Sequence, residues 1–142
     1  MRESVDASVR FSRKIMERDE IEQVIDRYID AYNKFDIDAM IQVLSSDIRF
    51  ENVSGGEVNA KTSGRTEFEA LARQSARLFA SRKQTVKNIK IVGDQAFVEI
   101  EFEGILAQDL PNGLKAGEKM VLRGTSEFVF VKGLVSSLID RS

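Results

Sequence analysis

The sequence predicts an α+β domain in which helices come first and a meander of antiparallel strands then curls over the long first helix. Three observations predict it. Residues 19–44 carry apolar side chains at the helical period, and residues 85–140 carry them at period two. Turn residues punctuate the second half, and the single proline, Pro111, falls in a loop rather than a strand. A chain of 142 residues suits one domain with one core.

Residues 1–18 mix charges with sparse apolar positions and read as a loose arm or a marginal extra helix, leaving residues 19–142 as the domain. From Asp19 onward, Ile21, Val24, Ile25, Tyr28, Ile29 and Tyr32 fall on one face of an amphipathic helix. Asp36 can cap a short second helix carrying Ile37, Met40, Ile41 and Leu44. A strand over 48–52 follows, then the turn SGGE and a weaker strand near 58–63 ended by Gly64. Thr66 and Glu69 have the spacing of a capping box, and the helix they open would bury Phe68, Leu71, Ala72, Ser75, Leu78 and Phe79. TVKNIKIV, AFVEIEFEGIL, KMVLRGTSEFVFV and LVSSLID then read as four strands joined by GDQ, a loop containing PNG, and Lys132-Gly133. Val98, Ile100 and Phe102 share one face of the second of these, and Glu99, Glu101 and Glu103 share the other.

Composition narrows the chemistry. The net charge is −2 with no long run of one sign, which counts against a nucleic-acid surface. There is no cysteine, so disulfides and thiol nucleophiles are excluded. There is no histidine, which removes the commonest general base and metal ligand. Chemistry must use carboxylates, tyrosine, lysine, amides or backbone. Neither a membrane-spanning run nor an apolar stretch of signal-peptide type is visible, so no membrane partner is expected and a cytoplasmic location is. The three glutamates of the fourth strand read as a solvent face rather than a metal ladder, and no metal or cofactor is expected.

VIDRYIDAYNKFDIDAMIQVLSSDIRFENVSG, followed by SGRTEFEAL, resembles the opening of the nuclear transport factor 2-like superfamily, and within it the SnoaL-like and ketosteroid-isomerase-like group. The resemblance covers residues from about 20 to 142. It implies a cone, a strongly curved antiparallel sheet of cystatin-like architecture wrapped around the long helix, with a pocket at the wide end. It also implies a homodimer paired through the outer face of the sheet. Tyr28 stands where ketosteroid isomerases place a hydroxyl donor. Asn52 stands where they place the general base, and Ser126 where they place a second acidic donor, so steroid isomerisation is not expected. Phe50-Glu51-Asn52 also resembles the aromatic-x-Asn pair of limonene-epoxide hydrolases, and Asp140 falls at one of their aspartates. Their arginine and second aspartate would fall at Ile100 and Phe102.

The site expected on these grounds is a mostly apolar pocket for a small apolar molecule. Asp140 and Tyr28 would be the catalytic groups. Asn52, Ser126, Tyr32, Phe50, Val98, Ile100, Phe102 and Phe128 would contact the ligand. Each has a plainer reading: core aromatics for the tyrosines, a strand-end amide for Asn52, and a solvated acid near the chain end for Asp140. The domain is therefore either a cofactor-independent isomerase, cyclase or hydrolase, or a non-catalytic binding or dimerisation module. Val129, Val131, Val135 and Ile139 are expected on the outer, pairing face.

Overall fold

A computed structural model describes residues 16–142 of the chain. The arm expected over residues 1–18 lies outside them, apart from Met16 to Arg18 at its end. The elements run α1 (Arg18–Asn33), α2 (Ile37–Gln42), β1 (Leu44–Ser54), β2 (Glu57–Ser63), α3 (Arg65–Ala76), β3 (Phe79–Val92), β4 (Gln95–Leu106), β5 (Lys119–Val131) and β6 (Leu134–Arg141). One curved, unclosed six-stranded sheet has the order β2-β1-β6-β5-β4-β3. This is the α+β class the sequence predicts, with one difference. The sheet is antiparallel except between its second and third strands, β1 and β6, which run parallel.

α1 forms because its apolar stripe can be buried along its whole length. Ile21 and Ile25 are fully buried and Val24, Tyr28 and Ile29 nearly so, against Val98, Phe128, Phe130, Val135 and Leu138 of the sheet. Full burial of a side chain this size stabilises by about 1.5–3 kcal/mol. The Glu17 N–H donates to Glu20 Oε1 at 2.9 Å and opens the helix. Phe35, in the left-handed region at φ 59°, closes it. The Ala39 N–H donates to Asp36 Oδ1 at 3.1 Å, the cap the sequence predicts for α2.

Several boundaries differ from expectation. Leu44 opens β1 rather than ending α2, because the Val135 N–H donates to Val43 O and draws the chain into the sheet. The capping box at Thr66 and Glu69 does not form. Gly64, at φ 87°, turns the chain so that α3 starts at Arg65. Glu67 then accepts from the Ser63 N–H, and Glu69 pairs with Arg73. Leu78 and Phe79 lie beyond α3, which ends at Ala76. β3 begins at Phe79, well before the expected strand, because it pairs with β4 as far as Leu106.

Val135 is fully buried rather than outward-facing. The register shifts between Val129 and Phe130, so Ser137 opposes Val129 while Val135 opposes Phe130. The extra residue, Ser136, reverses the parity of β6. On the outer face Glu101 meets Arg123 at 3.6 Å and Glu103 meets Lys119 at 2.6 Å, cross-strand pairs that exposure keeps weak. Among the described residues, no helix is long and apolar enough to cross a membrane.

Candidate functional site

Strand register gathers the polar groups. Asn52 lies opposite Asp140 in the β1–β6 pairing, Asp140 opposite Ser126, and Ser126 opposite Val98. Residues in one cross-strand row share a face, so Asn52, Asp140 and Ser126 stand side by side on the inner surface. The neighbouring row, Phe50, Leu138, Phe128 and Ala96, lies deeper against the helices and is buried. Beyond the polar row the sheet and helices separate around a cavity of about 390 Å³, a size suited to a small ligand.

Tyr28, Tyr32, Phe50, Asn52, Ile100, Phe102, Ser126 and Asp140 all border this cavity. Val98 and Phe128 do not, which corrects the expectation that they contact ligand. Both are 1% exposed or less and are sealed under α1, where Phe128 meets Tyr28 edge-on with ring centroids 5.9 Å apart. Strand alternation identifies the inner face but not how far along it the helix reaches. From α3 and the start of β3, Phe68, Leu71, Ala72, Ser75 and Phe79 complete a mostly apolar wall.

Asp140 carries the one side-chain carboxylate among the described lining residues. Ser126 Oγ donates to its Oδ1 at 2.7 Å. Burial pushes the Asp140 carboxyl up to about 6, against the opposing pull of that hydrogen bond. Asp140 is partly buried and borders the cavity, which places a carboxyl raised toward neutrality beside any ligand held there. The Tyr28 hydroxyl is driven well above its ordinary range by burial first and by the negative charge of Asp140 second. Tyr32 is pushed up to about 12, chiefly by burial. Both phenols are therefore neutral donors at any physiological pH.

Asn52 Nδ2 donates to Asn59 Oδ1 at 2.8 Å across the β1–β2 hairpin. The β-bulge between Asn52 and Val53 leaves Asn59 as the extra residue and brings its amide beside Asn52. Asn52 is thus both a hairpin residue and a lining residue, with Phe50 on its side of the strand.

Arg82 was not singled out by sequence. It is 6% exposed and borders the cavity from β3. Its guanidinium carbon lies 3.7 Å from the centroid of the Tyr32 ring and 4.5 Å from that of Phe35. Nε donates to Tyr32 O at 2.9 Å, and Nη2 has no hydrogen-bond partner. Within SRKQT it looks like one of a run of surface cations, and no local pattern marks it out.

The fold is similar to several solved structures. TsrD from Streptomyces laurentii is 20% identical, with 88% of this chain and 89% of that one covered and a TM-score of 0.74. A protein from Jannaschia sp. CCS1, provisionally named a SnoaL-like polyketide cyclase, is 15% identical over 88% of this chain and 89% of that one, with a TM-score of 0.74. An LEH-like epoxide hydrolase from M. tuberculosis is 16% identical over 86% of this chain and 81% of that one, with a TM-score of 0.69. At such identities the likeness is one of fold. No curated protein matches the chain in sequence. Residues 25–138, most of the chain, match the SnoaL-like domain model, and the chain belongs to the SnoaL-like domain family.

Proposed function

We propose that this protein is a cofactor-independent enzyme acting on a small, mostly apolar molecule that carries one or two oxygens. Asp140 exchanges a proton with the substrate, while Tyr28 and Asn52 orient it. The observation that carries this reading is a lone carboxyl, raised to about 6, facing a mostly apolar cavity. A group poised near the working pH can both take and return a proton. A single carboxylate that does both suits isomerisation or cyclisation, where nothing is added to the substrate. Hydration or hydrolysis would also require a held water. Structural neighbours named as a polyketide cyclase and an epoxide hydrolase support small-molecule chemistry in this fold.

The hydrocarbon wall favours a second reading. Ile100 and Phe102 occupy the places where the limonene-epoxide hydrolase resemblance would put an arginine and an aspartate, as in a non-catalytic module that only holds a ligand. Native mass spectrometry of protein purified under gentle conditions tests the shared premise. A bound apolar molecule of a few hundred daltons is expected, and an empty cavity in every preparation would count against both readings. Asn52→Leu is expected to lower the retained ligand while changing stability by no more than about 0.5 kcal/mol, because its partner Asn59 is exposed and water replaces the lost bond. Full ligand retention in that variant would exclude Asn52 from binding.

The same reading takes residues 19–142 as one domain, places it in the cytoplasm and pairs two copies through the outer face of the sheet. Phe97 and Val131 are 37% and 48% exposed there. Val129 on β5 and Ile139 on β6 are partly buried. Analytical ultracentrifugation at micromolar concentration is expected to give a dimer, and a monomer would contradict this arrangement.

A further inference from the structure

We infer that Arg82 is the ligand's anchor, and that the molecule held in the cavity is an apolar body bearing an oxygen-borne negative charge, such as a carboxylate, rather than a neutral hydrocarbon. The inference rests on the proposed binding role of the cavity and adds its charge preference.

Arg82 combines three properties that a purely structural arginine seldom combines. It is more than nine-tenths buried, with 6% of its surface exposed, and it forms part of the cavity wall. Among the described residues, no carboxylate lies within ion-pair distance of it. Nη2 is buried without a hydrogen-bond partner, although Nε is satisfied by Tyr32 O. A guanidinium does not escape such a site by losing its proton, so the charge stays and its missing partner must come from elsewhere. The flanking rings of Tyr32 and Phe35 stabilise the cation through their faces but bring no negative charge to it. A carboxylate in the cavity would meet the part of the guanidinium that borders it and supply the missing counter-charge through a charge-assisted hydrogen bond.

Asp140 does not fill this role. It is held by Ser126 and forms no ion pair with Arg82. Tyr28 and Tyr32 line the cavity with both groups. The cavity therefore has a buried, unpaired cation on β3 and a carboxyl on β6, whereas Arg123 and Arg141, which also line it, are exposed and paired with Glu101 and Glu127. A ligand with an acidic oxygen at one end and a reacting carbon at the other would fit that polarity.

The test compares two probes that differ in charge but hardly in shape, 2-naphthoate and 2-naphthamide, by isothermal titration calorimetry at pH 7.5. Wild-type protein is expected to bind the carboxylate at least tenfold more tightly than the amide. Arg82→Met should erase that preference by weakening naphthoate while leaving naphthamide within about twofold, and Arg82→Lys should keep part of it. If Arg82→Met does not fold, the wild-type comparison and Arg82→Lys decide. Equal binding of both probes by wild type would overturn the inference but leave the apolar-ligand reading standing. So would an unchanged preference in Arg82→Met. Failure of both probes to bind at millimolar concentration would overturn the inference and that reading together.

Discussion

Replacing Asp140 with asparagine is expected to lower turnover by about 10²–10⁴-fold and, above neutral pH, to make the protein more stable than wild type. Both effects come from the same burial. The carboxyl is raised from 3.8 to about 6, so the folded chain holds the proton more tightly than the unfolded chain does. The stabilising contribution of the protonated form is complete below about pH 3.8 and is lost as pH rises through about 6. Above that, wild type keeps a charge in a poorly hydrated site, at a cost of roughly 1–3 kcal/mol, reduced because the carboxyl faces the cavity. Asparagine carries no charge and can still accept from Ser126 Oγ. Urea melts should show the variant more stable at pH 8, with the difference shrinking toward pH 4. A variant that loses turnover without this pH-dependent gain would show that Asp140 is not desolvated. Ligand retention with no turnover in either protein would favour the binding-module reading.

Phe128→Ala is expected to destabilise by about 3–5 kcal/mol, enough to unfold a marginal domain. Phe128 is 1% exposed, meets Tyr28 edge-on and stacks on Phe130 at 6.2 Å, so nothing can collapse into the space it leaves. Phe102→Ala should cost less, because Phe102 borders the cavity with Tyr32 and Phe79 at 6.4 and 5.3 Å and is already part of an open wall. It should instead change which ligand is retained. Thermal melts of the two variants measure the contrast, and the reverse order would place Phe128 in the ligand site and Phe102 in the core.

The elements that were legible in the sequence have a strong period. The stripe from Ile21 to Tyr32 needs no tertiary information to read as α1, and the alternation through β4 and β5 reads as directly. Convergence of Asn52, Ser126 and Asp140 follows from the same alternation once the strands are in register, which is why these positions could be singled out. What escaped depends on contacts far apart in sequence. The parallel pairing of β1 with β6 joins Phe50 to Leu138 and leaves no local mark. The bulge at Ser136 buries Val135, although the apolar spacing of β6 suggests otherwise. The start of β3 is hidden because FASRKQ is polar and its partner strand supplies the pairing. Arg82 escaped for the same reason: the rings of Tyr32 and Phe35 that bury it come from α1 and the turn after it.

The titration of Asp140 itself is the most direct test of whether a desolvated carboxyl near neutrality borders the cavity. Protein labelled with ¹³C at the aspartate side-chain carboxyls, with the Asp140 resonance identified by its absence from Asp140→Asn, should be followed by NMR from pH 3 to pH 8. Asp140 is expected to titrate with a midpoint of about 6, raised from 3.8. A midpoint in the ordinary aspartate range, about 4, would contradict it and return Asp140 to a solvated acid at the end of β6.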